Sequence, residues 1–134
     1  MLLQSLAGLP AFLLYFVVAG ALIVAYIFVY TWITPHDEFA LIRNQVPGAA
    51  IALGMSTIGF ALPLTSAIGH ANDIVDMTIW GVVALAVQVV AYFLARIPIP
   101  DLSRRIAAGE LGPAIWLGCA SVTAGLINAA SMSM

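Results

Sequence analysis

The residues best suited to chemistry in this chain of 134 residues are its few histidines and carboxylates. His70, Asp73 and Asp76 lie close together, and imidazole and carboxylate groups can bind a divalent cation. The two aspartates are also placed to cap a following helix, which explains them without a metal. His36 lies in a turn before a short predicted helix, where a structural role is expected. Because the sequence holds no zinc-protease, nucleophile-elbow or phosphate-loop pattern, we predict no catalytic residue, cofactor or metal.

A second group of polar residues lies within otherwise apolar segments. Pro63 is inside a predicted helix, where it removes a backbone donor and frees a carbonyl oxygen near Gly59. That oxygen needs a new partner in protein or water. Polar side chains in lipid tend to face the interior of a bundle, so they either hold helices together or line a small cavity. The candidate residues for such a cavity are Pro63, Thr65, Ser66, Gln88, Asn128 and Ser131.

The composition places all of these residues in a membrane. Hydrophobic residues make up 63% of the chain and charged residues 7%, against about 45–50% and about 25% in soluble domains. So few charges cannot cover a water-soluble surface. They also exclude intrinsic disorder and the basic surface of a nucleic-acid-binding protein. We therefore predict one membrane domain over residues 1–134, with lipids as partners and no nucleic acid.

Four uncharged windows supply the membrane-spanning elements, since each holds the roughly 20 apolar residues that cross a bilayer. No window alternates apolar and polar residues as the strands of an outer-membrane barrel do. The predicted fold is therefore all-α, with four transmembrane helices. Their predicted bounds are Pro10–Ile33, Pro47–Ile68, Asp76–Arg96 and Pro113–Ala130.

The basic residues predict the orientation. All four lie in or beside the first and third connections, and the second connection has none. By the positive-inside rule, both arginine-bearing connections are cytoplasmic and both termini periplasmic. The first apolar segment has no basic residue before it, as a cleavable signal would, so we expect it to remain as an anchor. The predicted cytoplasmic basic face, which would contact anionic lipid headgroups, consists of Arg43, Arg96, Arg104 and Arg105.

The chain also looks like a tandem duplication of one helical hairpin, at about residues 9–69 and 73–133. With an offset of 64 positions, Gly48 and Gly54 align with Gly112 and Gly118. Such parallel repeats occur in transporters, although apolar segments also match by chance.

Each cytoplasmic connection is predicted to hold a short interfacial helix. In the first, Thr34 would be the N-cap, with Pro35 at the first helical position. The second would follow Pro100-Asp101 and stop at Gly109. The alternative for both is a loop in water.

Small residues spaced four apart predict close contacts between helix backbones. Such faces pack within a chain as often as between chains. Because four helices cannot hide several of them internally, we predict a homo-oligomer, with a two-fold dimer as the first expectation. The residues assigned to helix packing are Gly54, Gly118, Ser121 and Gly125.

Several of these segments carry a family resemblance. The run from Ile33 to Asn44, the following Ala49-Ala-Ile-Ala-Leu, Leu62-Pro-Leu-Thr-Ser-Ala-Ile68 and Gly125-Leu-Ile-Asn-Ala-Ala-Ser131 resemble the YjfL-like bacterial inner-membrane proteins, domain of unknown function family 350. The resemblance covers nearly the whole chain. It implies a four-helix protein of the bacterial inner membrane and supplies no catalytic residue. Neighbouring genes of the family imply an envelope-stress setting.

Two functions therefore stay open, with an enzyme least favoured. The first is a non-enzymatic oligomeric membrane or envelope-stress component, whose basic face binds lipid headgroups or a cytoplasmic protein partner. The second is a small channel or transporter for an ion or small solute. The centres of the four windows hold no ionisable residue, which argues against ion-coupled transport.

Overall fold

The computed structural model describes residues 2–34 and 37–132, and this part of the chain forms helices joined by short connections, without a strand. Four spans are long and apolar enough to cross a membrane: Leu2–Ile33, Pro47–His70, Ile74–Ala95 and Leu111–Met132. The predicted all-α fold with four membrane helices is confirmed. The helices are α1 (Leu2–Ala7), α2 (Leu9–Ile33), α3 (Glu38–Arg43), α4 (Pro47–His70), α5 (Ile74–Ala95), α6 (Leu102–Ala107) and α7 (Leu111–Met132).

The ends of the long helices follow the capping chemistry of the sequence. Pro47 occupies the first turn of α4, where its missing N–H has no helical partner to lose. Before α5, the Asp73 side chain accepts a hydrogen bond from the Asp76 backbone N–H at 2.8 Å. The Asp76 side chain in turn accepts from the Asn72 backbone N–H at 3.1 Å. The two aspartates therefore cap α5.

The predicted cap of the first short helix is wrong. The N-cap of α3 is Asp37, whose side chain accepts a hydrogen bond from the Ala40 backbone N–H at 3.1 Å. Thr34 instead ends α2, since its hydroxyl donates to the Tyr30 carbonyl oxygen at 3.0 Å. The expectations for Pro35 and His36 lie outside the described residues.

The second short helix, α6, ends close to its predicted stop. Its C-cap is Ala108, and Gly109 follows with a φ of +95°, a conformation that favours glycine. Asp101 precedes the helix with a φ of +56° and makes no side-chain cap.

The bundle is built around α4 and α7, which share the most extensive interface in the described chain. Helix α5 packs on both of them, and α2 packs on α4 and α5. The core side chains include Tyr26, which stacks on Phe60 with ring centroids 4.8 Å apart. Large apolar side chains on the outer surface, such as Phe16 and Phe28, remain exposed in the chain. This distribution suits lipid as the surrounding solvent.

Candidate functional site

Helices α4 and α7 cross in direct backbone contact. A Cβ atom added to Gly125 would overlap the carbonyl oxygen of Gly59, and one added to Gly59 would overlap the carbonyl oxygen of Ser121. A Cβ on Gly118 would meet the flexible Met55 Sδ atom at 2.6 Å and also the Met55 Cβ atom at 2.8 Å, which is fixed to the α4 backbone. The crossing therefore leaves no room for a methyl group between Gly59 and Gly125.

The small-residue faces are thus largely used inside the chain. Gly118, Ser121 and Gly125 are buried in α7 and face α4. Gly54 differs, because it lies on the outer side of α4 and nothing lies within 4 Å of an added Cβ. A sequence pattern gives the spacing of small residues but not the helix that they face.

The carbonyl oxygen that Pro63 frees has a partner at this crossing. The oxygen belongs to Gly59, four residues before Pro63, and the Gln88 side-chain Nε2 donates to it at 2.7 Å. The same nitrogen lies 3.3 Å from the Ser121 carbonyl oxygen, and the Ser121 hydroxyl lies 3.2 Å from the Ser56 hydroxyl. We call Ser56, Gly59, Gln88 and Ser121 the central polar cluster. It ties α4, α5 and α7 together in the middle of the bundle.

The other predicted cavity residues do not converge on this cluster. The Ser66 hydroxyl donates to the Ala129 carbonyl oxygen at 3.0 Å, which joins α4 to α7 nearer the other end. The Thr65 and Ser131 hydroxyls bond to carbonyl oxygens of their own helices. Asn128 and Ser131 line an outward groove. The six candidates are therefore distributed over the bundle and not gathered round one space.

That groove lies between α5 and α7 on the outside of the bundle. Two adjoining depressions share Ala91, Leu94, Ala124 and Ile127, and we call their union the α5–α7 groove. Small side chains form much of its floor, and Cys119 lies on it with its thiol free and exposed. The Asn128 side-chain Nδ2 is buried and has no hydrogen-bond partner among the described residues.

Two arginines at one end of the bundle are paired with acids. Arg104 lies 3.0 Å from the Asp101 carboxylate, and Arg105 lies 2.9 Å from the Glu110 carboxylate. All of these side chains are well exposed, so the pairs contribute little to stability. They do balance much of the positive charge that a count of arginines alone assigns to this end.

The remaining two arginines at that end are placed differently. Arg43 is exposed at the end of α3. Arg96 follows α5, and its guanidinium carbon lies 5.8 Å from the ring centres of both Tyr92 and Phe93. This cation–π geometry holds Arg96 beside the bundle. We call the region of α3, α6 and these arginines the arginine-bearing end.

Glu38 lies at this end as well, and sequence reasoning did not single it out. Its side chain is 0% exposed, although it opens α3 in a connection between spans. The Thr34 hydroxyl donates a hydrogen bond to its carboxylate. Burial raises the pKa of the Glu38 carboxyl to about 7, and the charge of Asp37 adds to the rise, while the Thr34 and backbone hydrogen bonds oppose it. A signal was present in the sequence, since the 64-residue offset aligns Glu38 with an apolar residue, Leu102.

The acidic residues near the opposite end form no metal site in the described chain. Asp73 and Asp76 cap α5, as described above. His70 Nδ1 lies 3.0 Å from the Ser66 carbonyl oxygen of its own helix. All three residues therefore have structural partners.

Comparison with known proteins agrees with this architecture. The sequence model of a family described as Domain of Unknown Function (DUF350) matches residues 4–132. The chain belongs to the DUF350 family. Among DUF350 relatives, the UPF0719 inner membrane protein YjfL of Escherichia coli (strain K12) is 34% identical over 131 residues, which are 98% of this chain and 99% of that protein. The YjfL protein of Escherichia coli O157:H7 matches equally well.

The resemblance seen in the sequence is thereby confirmed. This DUF350 chain is an integral inner-membrane protein of an uncharacterised family, for which no activity is established. No solved structure matches it significantly.

Proposed function

We propose that the protein is a non-enzymatic inner-membrane component that works as a homo-oligomer, with a two-fold dimer as its first form. The observation that carries this proposal is the use of the polar groups inside the bundle. In the central polar cluster the two serine hydroxyls bond to each other and Gln88 Nε2 bonds to backbone oxygens, so that within this cluster only the buried Gln88 Oε1 lacks a hydrogen-bond partner among the described residues. Such an interior suits a component that works through its outer surfaces.

The α4–α7 crossing favours this proposal over transport. Helices in backbone contact at Gly59 and Gly125 leave no passage between them. Two of the six candidate cavity residues are also separated, because Asn128 lies on the α5–α7 groove while Pro63 is buried in α4. A channel through these residues would need the central crossing to open.

The α5–α7 groove is the surface that supports association. Its small residues allow another helix to approach closely, and the Asn128 amide lacks a partner within the described chain. Because the Nδ2 atom is buried in the single chain, the Asn128 amide would have to turn outward for the amides of two copies to bond across the axis of a two-fold dimer. Hydrogen bonds between membrane helices contribute about 0.6 kcal/mol each.

This interface predicts a measurable effect of Asn128→Leu. Loss of two symmetric hydrogen bonds removes about 1.2 kcal/mol, which weakens dimerisation in lipid by close to tenfold. The measurement is the dimer fraction in nanodiscs or vesicles against protein density, by single-molecule photobleaching. Ser131→Ala is the matched control, because that hydroxyl bonds within its own helix. A parent chain that stays monomeric at every density would refute the oligomer.

The orientation and the repeat belong to the same proposal. The arginine distribution supports cytoplasmic positions for α3 and α6, with both termini periplasmic and both short helices in the headgroup layer. The bounds of α3 and α6, Glu38–Arg43 and Leu102–Ala107, are offset by the same 64 residues as the sequence repeat, which supports a tandem duplication. Arg43 and Arg96, outside the two acid pairs, would contact anionic lipid or a cytoplasmic protein. The envelope-stress setting is supported by the family resemblance alone.

A reporter at the C-terminus tests the orientation. We expect alkaline phosphatase fused after Met134 to be active, because that enzyme works only when exported, and a fluorescent protein that folds only in the cytoplasm to be dark. The same two reporters placed after Arg105 should give the opposite pattern. A cytoplasmic signal from the Met134 fusion would overturn the proposed topology.

A further inference from the structure

The buried carboxyl group of Glu38 has no role in the function proposed above. Glu38 belongs to a helix of six residues at the arginine-bearing end, yet its side chain is as buried as the apolar core. The matching residue of the second short helix is Leu102, which is 1% exposed. A carboxyl group thus occupies a position where the other half of the chain uses leucine. Leucine is sufficient to pack a short helix on the bundle, so packing does not explain why α3 has a carboxyl group at this position.

One hydroxyl group bonds to this carboxyl group, and two tyrosines lie near it. Thr34, at the end of α2, donates to it. Tyr30 of α2 and Tyr92 of α5 lie close enough to interact with it electrostatically. Tyr92 is held in place, since its hydroxyl lies 3.0 Å from the Ser103 hydroxyl of α6. We call Thr34, Glu38, Tyr30 and Tyr92 the Glu38 site.

Tyr30 adds an independent observation. Its side chain is 1% exposed, and its hydroxyl has no hydrogen-bond partner within 3.5 Å among the described residues, although the Ser56 hydroxyl lies near it. A phenol both donates and accepts hydrogen bonds, so an unsatisfied buried one is a costly feature. The nearby carboxyl group offers the Tyr30 hydroxyl an acceptor when it is ionised and a donor when it is protonated.

We propose that the Glu38 site binds one proton, and that this proton controls how firmly α3 docks on the bundle. Binding converts the carboxylate to the neutral acid and requires no other reactant. The neutral acid keeps the Thr34 hydrogen bond and gains a donor that can face Tyr30. The ionised form must be held in a buried place, where a charge is unfavourable. Proton release therefore loosens α3.

The direction of the pH dependence follows from the surrounding charges. Burial disfavours the charged form of Glu38 most, and Asp37 beside it disfavours a second negative charge. Arg96 lies over the Tyr92 ring and not on the carboxyl group. A folded-state pKa of about 7, raised from the usual 4.5, means that docking is strongest below about pH 4.5. It weakens as the pH rises towards 7 and then levels off.

The amino-acid composition makes a direct titration feasible. Glu38 and Glu110 are the only glutamates in the sequence, so carboxyl-labelled glutamate gives two carbon NMR signals from the full chain in nanodiscs. Glu110→Gln assigns them, because Glu110 is exposed and paired with Arg105. We expect the Glu38 signal to titrate near pH 7. Thr34→Val, which removes the hydroxyl that donates to the carboxylate, should move this midpoint upward.

Hydrogen exchange of the α3 amides measures the docking itself. Protection factors, which correct for the intrinsic effect of pH, should fall by up to tenfold per pH unit between about 4.5 and 7. Glu38→Gln mimics the neutral acid, and Glu38→Leu copies the residue of α6, so both should abolish the pH dependence and keep α3 protected. Glu110→Gln should leave it unchanged. A Glu38 midpoint near 4.5, or equal pH dependence in the Glu38→Gln chain, would overturn the proposal.

Discussion

Gly125→Leu is expected to destabilise the bundle by about 3 kcal/mol, the largest effect that we predict for one substitution. Even a methyl group at this position would overlap the Gly59 carbonyl oxygen, and backbone cannot move aside as a flexible side chain can. The leucine must therefore separate α4 from α7 along their whole contact. Separation would also pull Ser121 away from Gln88 and Ser56, so the central polar cluster would be lost with the packing.

Reversible unfolding in mixed micelles, followed by circular dichroism, measures this effect. Gly54→Leu is the matched control, because it makes the same change on the open side of α4. We expect the control to stay within about 0.5 kcal/mol of the parent. The test also distinguishes packing of the small-residue face against α4 from packing against another chain. If Gly125 faced another chain, Gly125→Leu would yield a folded monomer of undiminished stability, and the packing inside the bundle would be refuted.

The sequence was a good guide to the helices because their ends depend on local chemistry. Charged residues interrupt the apolar windows, and Pro47 and Asp73 mark where α4 and α5 begin. Each predicted membrane helix therefore lies within two residues of the observed bounds at both ends. The expectation that the oxygen freed by Pro63 needs a partner was also local in origin, and its partner is Gln88.

What could not be predicted depends on contacts between distant segments. The spacing of Gly118 and Gly125 is the same whether they face α4 or another molecule. Glu38 looks like an ordinary charged residue of a connection, and only the docking of α3 buries it. The capping pattern predicted Thr34 as the N-cap, whereas the Asp37 side chain is the one that reaches a free N–H of α3.

Gln88→Leu is expected to cost about 1–2 kcal/mol of stability, because it removes the donor to Gly59 and the longer contact to Ser121. Leucine is similar in size, so packing changes little. The loss should depend strongly on Pro63. In the parent chain the Gly59 oxygen has no donor at position 63, whereas Pro63→Ala restores an N–H that can bond to it within α4.

A double-mutant cycle tests this dependence directly. In the Pro63→Ala background, Gln88→Leu should cost about 1 kcal/mol less than in the parent, since the Gly59 oxygen keeps its helical partner. Ser103→Ala, which removes a bond to Tyr92 at the arginine-bearing end, should instead add to Pro63→Ala without coupling. Unfolding free energies of the single and double variants in one micelle composition give the coupling. If Gln88→Leu were equally costly in both backgrounds, Gln88 would not be the replacement for the missing donor. Coupling of the expected sign means that Pro63 and Gln88 act together. The carbonyl oxygen that Pro63 leaves without a partner in α4 then accepts a hydrogen bond from α5.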